Sequence, residues 1–277
     1  MSSVFRLETT RRTAGLTIRT MKLTTVTILA SLATLASSHA AIALFAGYKL
    51  GETGSLGANN SPQDYSGNGR HVTNAISGGA ATVGTPGAYS GSTHYLSTAA
   101  TGNEGWYGPN VSGSLPTDNF GFSIWVQAAT NTGATQGDAF SLGGGTGAFK
   151  LSLAPNGWAA SSNGVAWIGG DDGVSDTFAA NTWTHLMMIR YNGTTTFYIN
   201  DVARGATYGG APTHGDFHVS VNPGGSVYFD GLLDEARVVT FAGSDSVADI
   251  RAALVPEPSA ALLGGLGLLA MLRRRRA

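Results

Sequence analysis

Between Ala41 and Val255 the chain is built of short runs in which apolar and polar residues alternate, and no helical period is sustained. Phe122, Ile124 and Val126 fall on one face of a predicted strand, with Ser123, Trp125 and Gln127 on the other. Phe149, Leu151 and Leu153 alternate with Lys150 and Ser152, and Phe217, Val219 and Val221 with His218 and Ser220. Asn192-Gly193 separates two such runs, and both residues tolerate the positive φ of a tight two-residue hairpin. Asn200-Asp201 predicts a second hairpin directly after it. Short strands bounded by Gly, Asn and Asp predict an all-β fold, a two-sheet antiparallel β-sandwich. One helical turn is expected at Ser244 to Ala253, with Ser246 as its cap and Val247, Ile250 and Leu254 on one face.

The two ends depart from this pattern. From Met21, a single Lys22 precedes the uncharged run Leu23 to Ala36, and Ser38-His39-Ala40 supplies small residues before a cleavage point at Ala41. This is the layout of a secretory signal peptide, so residues 1–40 are read as a signal region whose true start is Met21. At the other end Val255-Pro256-Glu257-Pro258 is stiff and extended, because each proline fixes its own φ and turns its predecessor away from helix. Ala260 to Leu272 then gives 13 apolar residues, a short hydrophobic helix, and Arg273, Arg274, Arg275 and Arg276 follow as a membrane stop. Thirteen helical residues rise about 20 Å, short of a hydrocarbon core of about 30 Å, so the segment spans only marginally. The arginines are expected to stay on the cytoplasmic side and leave the body outside.

Composition sharpens the picture. Glycine supplies 40 of 277 residues, roughly twice ordinary usage, and charged residues only 12%, which suits turns and strands better than long surface helices. The net charge of −1 conceals a segregation. With Arg6, Arg11, Arg12, Arg19, Lys22 and Arg273 to Arg276 all at the ends, residues 41–255 hold seven cations against fifteen acids. An acidic body without a basic stripe argues against nucleic acid as a partner. The absence of cysteine removes disulfide frameworks, thiolate chemistry and Cys-ligated metals.

The tail closely resembles the PEP-CTERM protein-sorting signal, in which Pro-Glu-Pro, an apolar segment and a basic end occur in that order. The resemblance covers residues 255–277. It implies that Pro256, Glu257 and Pro258 are recognised by an exosortase, a membrane processing enzyme of Gram-negative bacteria. A simple C-terminal anchor is the alternative. The body resembles the concanavalin A-like jelly roll in its laminin G-like form. Asp64-Tyr65-Ser66-Gly67-Asn68-Gly69 matches that family's D-x-S-G-N-G loop, and Phe122 to Val126 its central strand. Trp183-Thr184-His185 opens the hairpin pair, and Gly231 to Val238 resembles the closing G-x-I-D-E-V-R-I strand. Ser90 and His94 stand where the family prefers acids. The organisation implied is a sandwich over 41–245, a linker or short helix over 246–254, and the sorting tail over 255–277.

Glycosidases also use this sandwich, and retaining hydrolysis needs two carboxylates about 5 Å apart. Glu52, Glu104 and Glu235 have no carboxylate two residues away, and Asp234 and Glu235, being adjacent, point to opposite faces of a regular strand. No catalytic elbow or metalloprotease helix is present, and the body histidines are scattered. A non-catalytic protein is expected. By parity Asp234 shares the core-directed face of Leu232, Ala236 and Val238, where a carboxylate needs a partner. Asp64 and Asn68 offer the oxygen ligands that Ca²⁺ prefers, and the related domains imply a structural calcium, so Asp64, Asn68 and Asp234 are candidate ligands. The alternative, favoured here, is that Asp64 and Asn68 form turns and Asp234 caps nearby amides. The acidic loop Asp171 to Asp176 lacks a full calcium-loop pattern and reads as a solvated turn. Trp106, Tyr107 and Trp158 lie in Gly/Asn-rich stretches, where they either stack against sugars or cover the ends of the core. Glu235 and Arg237, two apart, are expected to pair. The whole predicts an exported surface or matrix protein for adhesion or carbohydrate binding, with a polysaccharide or surface protein as partner and a transient membrane stage. A secreted glycan-active enzyme and a passive matrix protein are the alternatives.

Overall fold

The computed structural model describes residues 42–76, 81–89, 91–130, 137–144, 148–155, 157–162, 166–169, 178–208 and 215–255. The signal region, the loop 171–176, Pro256, Glu257, Pro258 and Arg273 to Arg276 lie outside the described residues. The strands in chain order begin with β1 (Ala43–Tyr48), β2 (Asn74–Ala75), β3 (Thr82–Gly84), β4 (Tyr95–Thr98) and β5 (Trp106–Asn110). They continue with β6 (Phe120–Gln127), β7 (Gly137–Leu142), β8 (Phe149–Ala154), β9 (Gly157–Ser162) and β10 (Ala166–Gly169). Then come β11 (Thr184–Tyr191), β12 (Thr194–Ile199), β13 (Val202–Tyr208), β14 (Asp216–Val219) and β15 (Gly231–Thr240), followed by helix α1 (Val247–Leu254).

These strands form two antiparallel sheets packed as a sandwich. The eight-stranded sheet runs β13-β12-β11-β6-β15-β4-β3, and β1 shares the edge of β15 with β4. The seven-stranded sheet runs β10-β9-β8-β7-β14-β5-β2. The alternation read from the sequence decides which residues meet between them. Phe122, Ile124 and Val126 from β6 pack in one core with Phe149 and Leu151 from β8 and Phe217 and Val219 from β14. Phe140 sits at its centre, 6.2 Å from the Tyr48 ring and 5.8 Å from each of Phe122 and Phe217, mostly edge to face. Both predicted hairpins form. Asn192 and Gly193 take φ of 48° and 80° between β11 and β12, and Asn200 and Asp201 take 47° and 68° between β12 and β13.

Of the two readings of 246–254, linker or short helix, the segment takes the helix, which lies on the outer face of the eight-stranded sheet, where Ile250 and Leu254 make a second core with Met187, Ile189 and Val239. Its start is capped as expected, the Ser246 hydroxyl accepting from the Asp249 amide at 3.1 Å. Its last carbonyls are held by the sheet: Ser123 Oγ donates to Leu254 O at 2.8 Å and Arg237 Nη1 to Ala253 O at 3.4 Å. Ser246→Ala is expected to cost about 1 kcal/mol, the usual value of an N-cap, read as a lower urea midpoint at constant slope. An unchanged midpoint would mean that packing alone holds the helix.

Candidate functional site

The Asp64 loop is a turn built around one carboxylate. Oδ1 accepts from the amides of Gly47 and Ser66, both at 2.9 Å, and Oδ2 from the Ser66 hydroxyl at 2.8 Å and the Arg70 amide at 2.9 Å. Burial raises this carboxyl's pKa, but those donors outweigh it and hold Asp64 below the usual range. Asn68 turns its amide nitrogen to the carbonyls of Leu44 and Phe45, both at 3.0 Å. A carboxylate offers about four lone-pair sites, and all four are taken. The geometry supports turn formation by Asp64 and Asn68 over calcium ligation.

Asp234 stands elsewhere and faces the other way from the parity expectation. The register of β15 on β6 slips between Asp234 and Arg237, and Glu235 has φ of 38°, a left-handed value rare outside glycine. This bulge inserts one residue, so Leu233, Ala236 and Val238 face the core while Asp234 does not. The bulge lies where the edge partner of β15 changes from β4 to β1. Two loops close that split through the acids. The Ala88 amide donates to Asp234 Oδ2 at 2.8 Å, and the hydroxyls of Tyr89 and Tyr65 donate to Glu235 Oε1 and Oε2, both at 3.0 Å. Arg237 Nε lies 3.5 Å from Glu235 Oε2, the expected pair. Asp234 is 0% and Glu235 2% exposed, so these neighbouring acids form a buried clasp. Burial, reinforced by the Glu235 charge, holds both phenols well above their ordinary pKa.

The three aromatic candidates separate. Trp106 is 1% and Trp158 0% exposed, both within the core, which leaves neither ring free to stack on a sugar. Trp106 donates its ring N–H to Asn59 O at 2.9 Å, and Trp158 packs 6.3 Å from Phe229. Their Gly/Asn-rich surroundings are strand starts rather than exposed loops. Tyr107 alone faces outward and is half-buried. Its ring stacks on His218 with centroids 6.2 Å apart and planes at 21°.

That pair belongs to a feature the sequence did not reveal. Ser161, Lys150, Ser141, His218, Tyr107 and Asn74 are successive cross-strand neighbours on six adjacent strands, from β9 to β2. They form one polar row across the outer face of the seven-stranded sheet, grading from exposed Asn74 to fully buried Ser141 and Ser161. Among the described residues, Ser141 Oγ, Ser161 Oγ and His218 Nδ1 are buried without a hydrogen-bond partner. Beside the row, Asp138 accepts from Ser152 Oγ at 2.6 Å and lies 3.1 Å from Lys150 Nζ. Burial lowers the His218 pKa, which keeps the imidazole neutral at neutral pH. The outward parity of His218 and Lys150 was legible strand by strand, but the strand placement of Tyr107 and the registration of the row across the sheet were not. A separate pocket of about 320 Å³, lined by Asn103, Thr130, Tyr228 and Asp230, opens elsewhere and shares no residue with the row.

Comparison with known proteins agrees with this architecture. A family model described as the concanavalin A-like lectin/glucanases superfamily matches residues 90–246, and the PEP-CTERM protein-sorting motif matches residues 254–276. No curated protein matches the sequence. Domain 4 of AbnA, an extracellular arabinanase from Geobacillus stearothermophilus solved with arabinotriose, is 24% identical with a TM-score of 0.50. That match covers 73% of this chain and 94% of the domain. A sialidase from Trypanosoma rangeli, solved with the inhibitor DANA, is 13% identical with a TM-score of 0.52 over 75% of this chain, which spans only 32% of the sialidase. These structural likenesses speak to the fold. The sorting motif implies processing by an exosortase and marks an exported protein of the Gram-negative envelope or surface. The chain belongs to the concanavalin A-like lectin/glucanases superfamily, and it ends in a PEP-CTERM sorting motif.

Proposed function

We propose that this is an exported, non-catalytic carbohydrate-binding protein of the cell surface or extracellular matrix, which takes a polysaccharide at the accessible end of the polar row of the seven-stranded sheet. The carrying observation is the row itself. Its accessible members, exposed Asn74 and half-buried Tyr107 and Lys150, present an amide, a phenol and an ammonium to sugar hydroxyls, while Ser141 and Ser161 are fully buried and His218, 7% exposed, backs the Tyr107 ring. Tyr107 adds an aromatic face at the accessible end of the row. The acids support binding rather than hydrolysis: Asp138 is tied to Lys150 and Ser152, and Asp234 and Glu235 are buried in the clasp. The AbnA domain, solved in complex with arabinotriose and matched over 94% of its length, lends this reading support by analogy of fold. In a glycan array followed by titration calorimetry, Tyr107→Ala and His218→Ala are each expected to weaken binding at least tenfold, about 1.4 kcal/mol. Affinity should stay level between pH 7 and pH 8.5, because His218 is neutral throughout. A flat array would leave a passive matrix protein, and depolymerisation of any polysaccharide would replace binding with catalysis.

A further inference from the structure

Among the described residues, a helix covers one half of the outer face of the eight-stranded sheet. Helix α1 ends over Ser123, and Leu254 also meets His185 through its backbone. Beyond it, on the same face, Trp125 sits between His185, with ring centroids 4.9 Å apart, and Tyr89, at 6.3 Å with planes at 20°. Tyr95 and Trp183 form a tilted pair at 6.0 Å. Tyr89, Tyr95, Trp125 and Trp183 are half-buried, and none belongs to either hydrophobic core. The rings are firmly seated. The Tyr89 hydroxyl is bound by Glu235, and the Tyr95 and Tyr89 rings lean over Gly84 and Gly91, where an added Cβ would lie 2.2 Å and 2.6 Å from them. In the next row, Ser97 and Gln127 flank Leu232 with a hydroxyl and an amide. Asp234 and Glu235 hold the loop that carries Tyr89, Glu52 accepts from the Thr93 and His94 amides just before Tyr95, and Arg237 is engaged with Glu235 and the Ala253 carbonyl. Fixed aromatic rings beside small polar groups suit the C–H faces and hydroxyls of a sugar, and the acidic surround disfavours an anionic one.

We propose that the outer face of the eight-stranded sheet carries a second glycan-stacking surface, formed by Tyr89, Tyr95, Trp125 and Trp183, for an uncharged polysaccharide. The bridging that follows rests on the function proposed above: with one surface on each broad face, a single sandwich joins two glycan strands. The test titrates the exported chain with soluble arabinan, mixed-linkage β-glucan and galactomannan, and follows bridging by light scattering. Trp183→Ala and Tyr95→Ala are expected to lose bridging and the binding that remains in Tyr107→Ala, by at least tenfold. Trp183→Phe, which keeps a ring, should retain that binding, and Trp183→Leu, equally apolar without one, should lose it, which separates stacking from folding. Wild-type binding and bridging in Trp183→Ala and Tyr95→Ala would overturn this proposal and leave the polar row standing. Self-association without polysaccharide, abolished in Trp183→Ala, would also overturn it by showing that a second copy covers the rings. No binding by the wild-type chain would overturn both readings.

Discussion

Replacing Glu235 with alanine is expected to destabilise the protein by about 3–5 kcal/mol, the range for removing one partner of a buried charge pair. The carboxylate holds Arg237 and both phenols at once, joining the loop of Tyr65 and the loop of Tyr89 to β15. Its removal leaves three half-buried donors without their acceptor. Glu235→Gln keeps the shape and two acceptor lone pairs but loses the charge, and should fall between wild type and alanine. Urea unfolding measures this directly, and a loss below about 1 kcal/mol for Glu235→Ala would mean that the clasp does not hold the split edge together.

Asp234 should give the largest pH effect. Burial, aided by the neighbouring Glu235 charge, pushes its carboxyl up to about 7 against hydrogen bonds from the Ala88 amide, the Ser92 side chain and the Glu235 backbone. An unfolded aspartate titrates near 3.9. The folded state therefore binds the proton more tightly, and the group's stabilising contribution, complete below about pH 4, is lost as pH rises to about 7. The linkage amounts to about 1.4 kcal/mol per pH unit at its steepest and about 4 kcal/mol in all. His185, across Trp125 in the same row, has the opposite slope. Burial lowers its pKa to about 4, so its contribution is present above about pH 6.5 and is lost as pH falls through 4. The two slopes offset each other in the wild type. Asp234→Asn should therefore be close to wild type at pH 4.5 and more stable by several kcal/mol at pH 8, with a newly visible loss on acidification. Parallel wild-type and variant profiles between pH 4.5 and 8 would show that Asp234 ionises freely.

What was legible in the sequence follows from locality. Phe122, Ile124 and Val126 declared their face because the side-chain period of a strand is two. Asn192-Gly193 and Asn200-Asp201 declared their turns because few residues accept positive φ. The cap at Ser246 is equally local, as its hydroxyl and the Asp249 amide are three residues apart. Asp234 misled for the complementary reason. One extra residue at Glu235 reverses the parity of everything beyond it, and a bulge is a property of two paired strands. For Trp106 and Trp158 the sequence left two readings open, and the core placement is the one found, with Gly157 opening β9 and Trp106 opening β5. The polar row joins residues from Asn74 to His218, and only the sheet order brings them side by side.

The pinned end of α1 leaves the tail very little slack. Leu254 is fully buried, and only five residues, 255–259, separate it from the apolar run that starts at Ala260. Fully extended, five residues reach about 17 Å. The headgroup layer of one leaflet takes up about 5–8 Å of that. While the apolar run is seated in a bilayer, the helix-bearing face of the sandwich is thus held within about 10 Å of the headgroups, roughly a Debye length at physiological salt. At that range the sandwich could neither turn far nor retreat, so cutting the tail would be the step that frees its broad faces from the membrane surface.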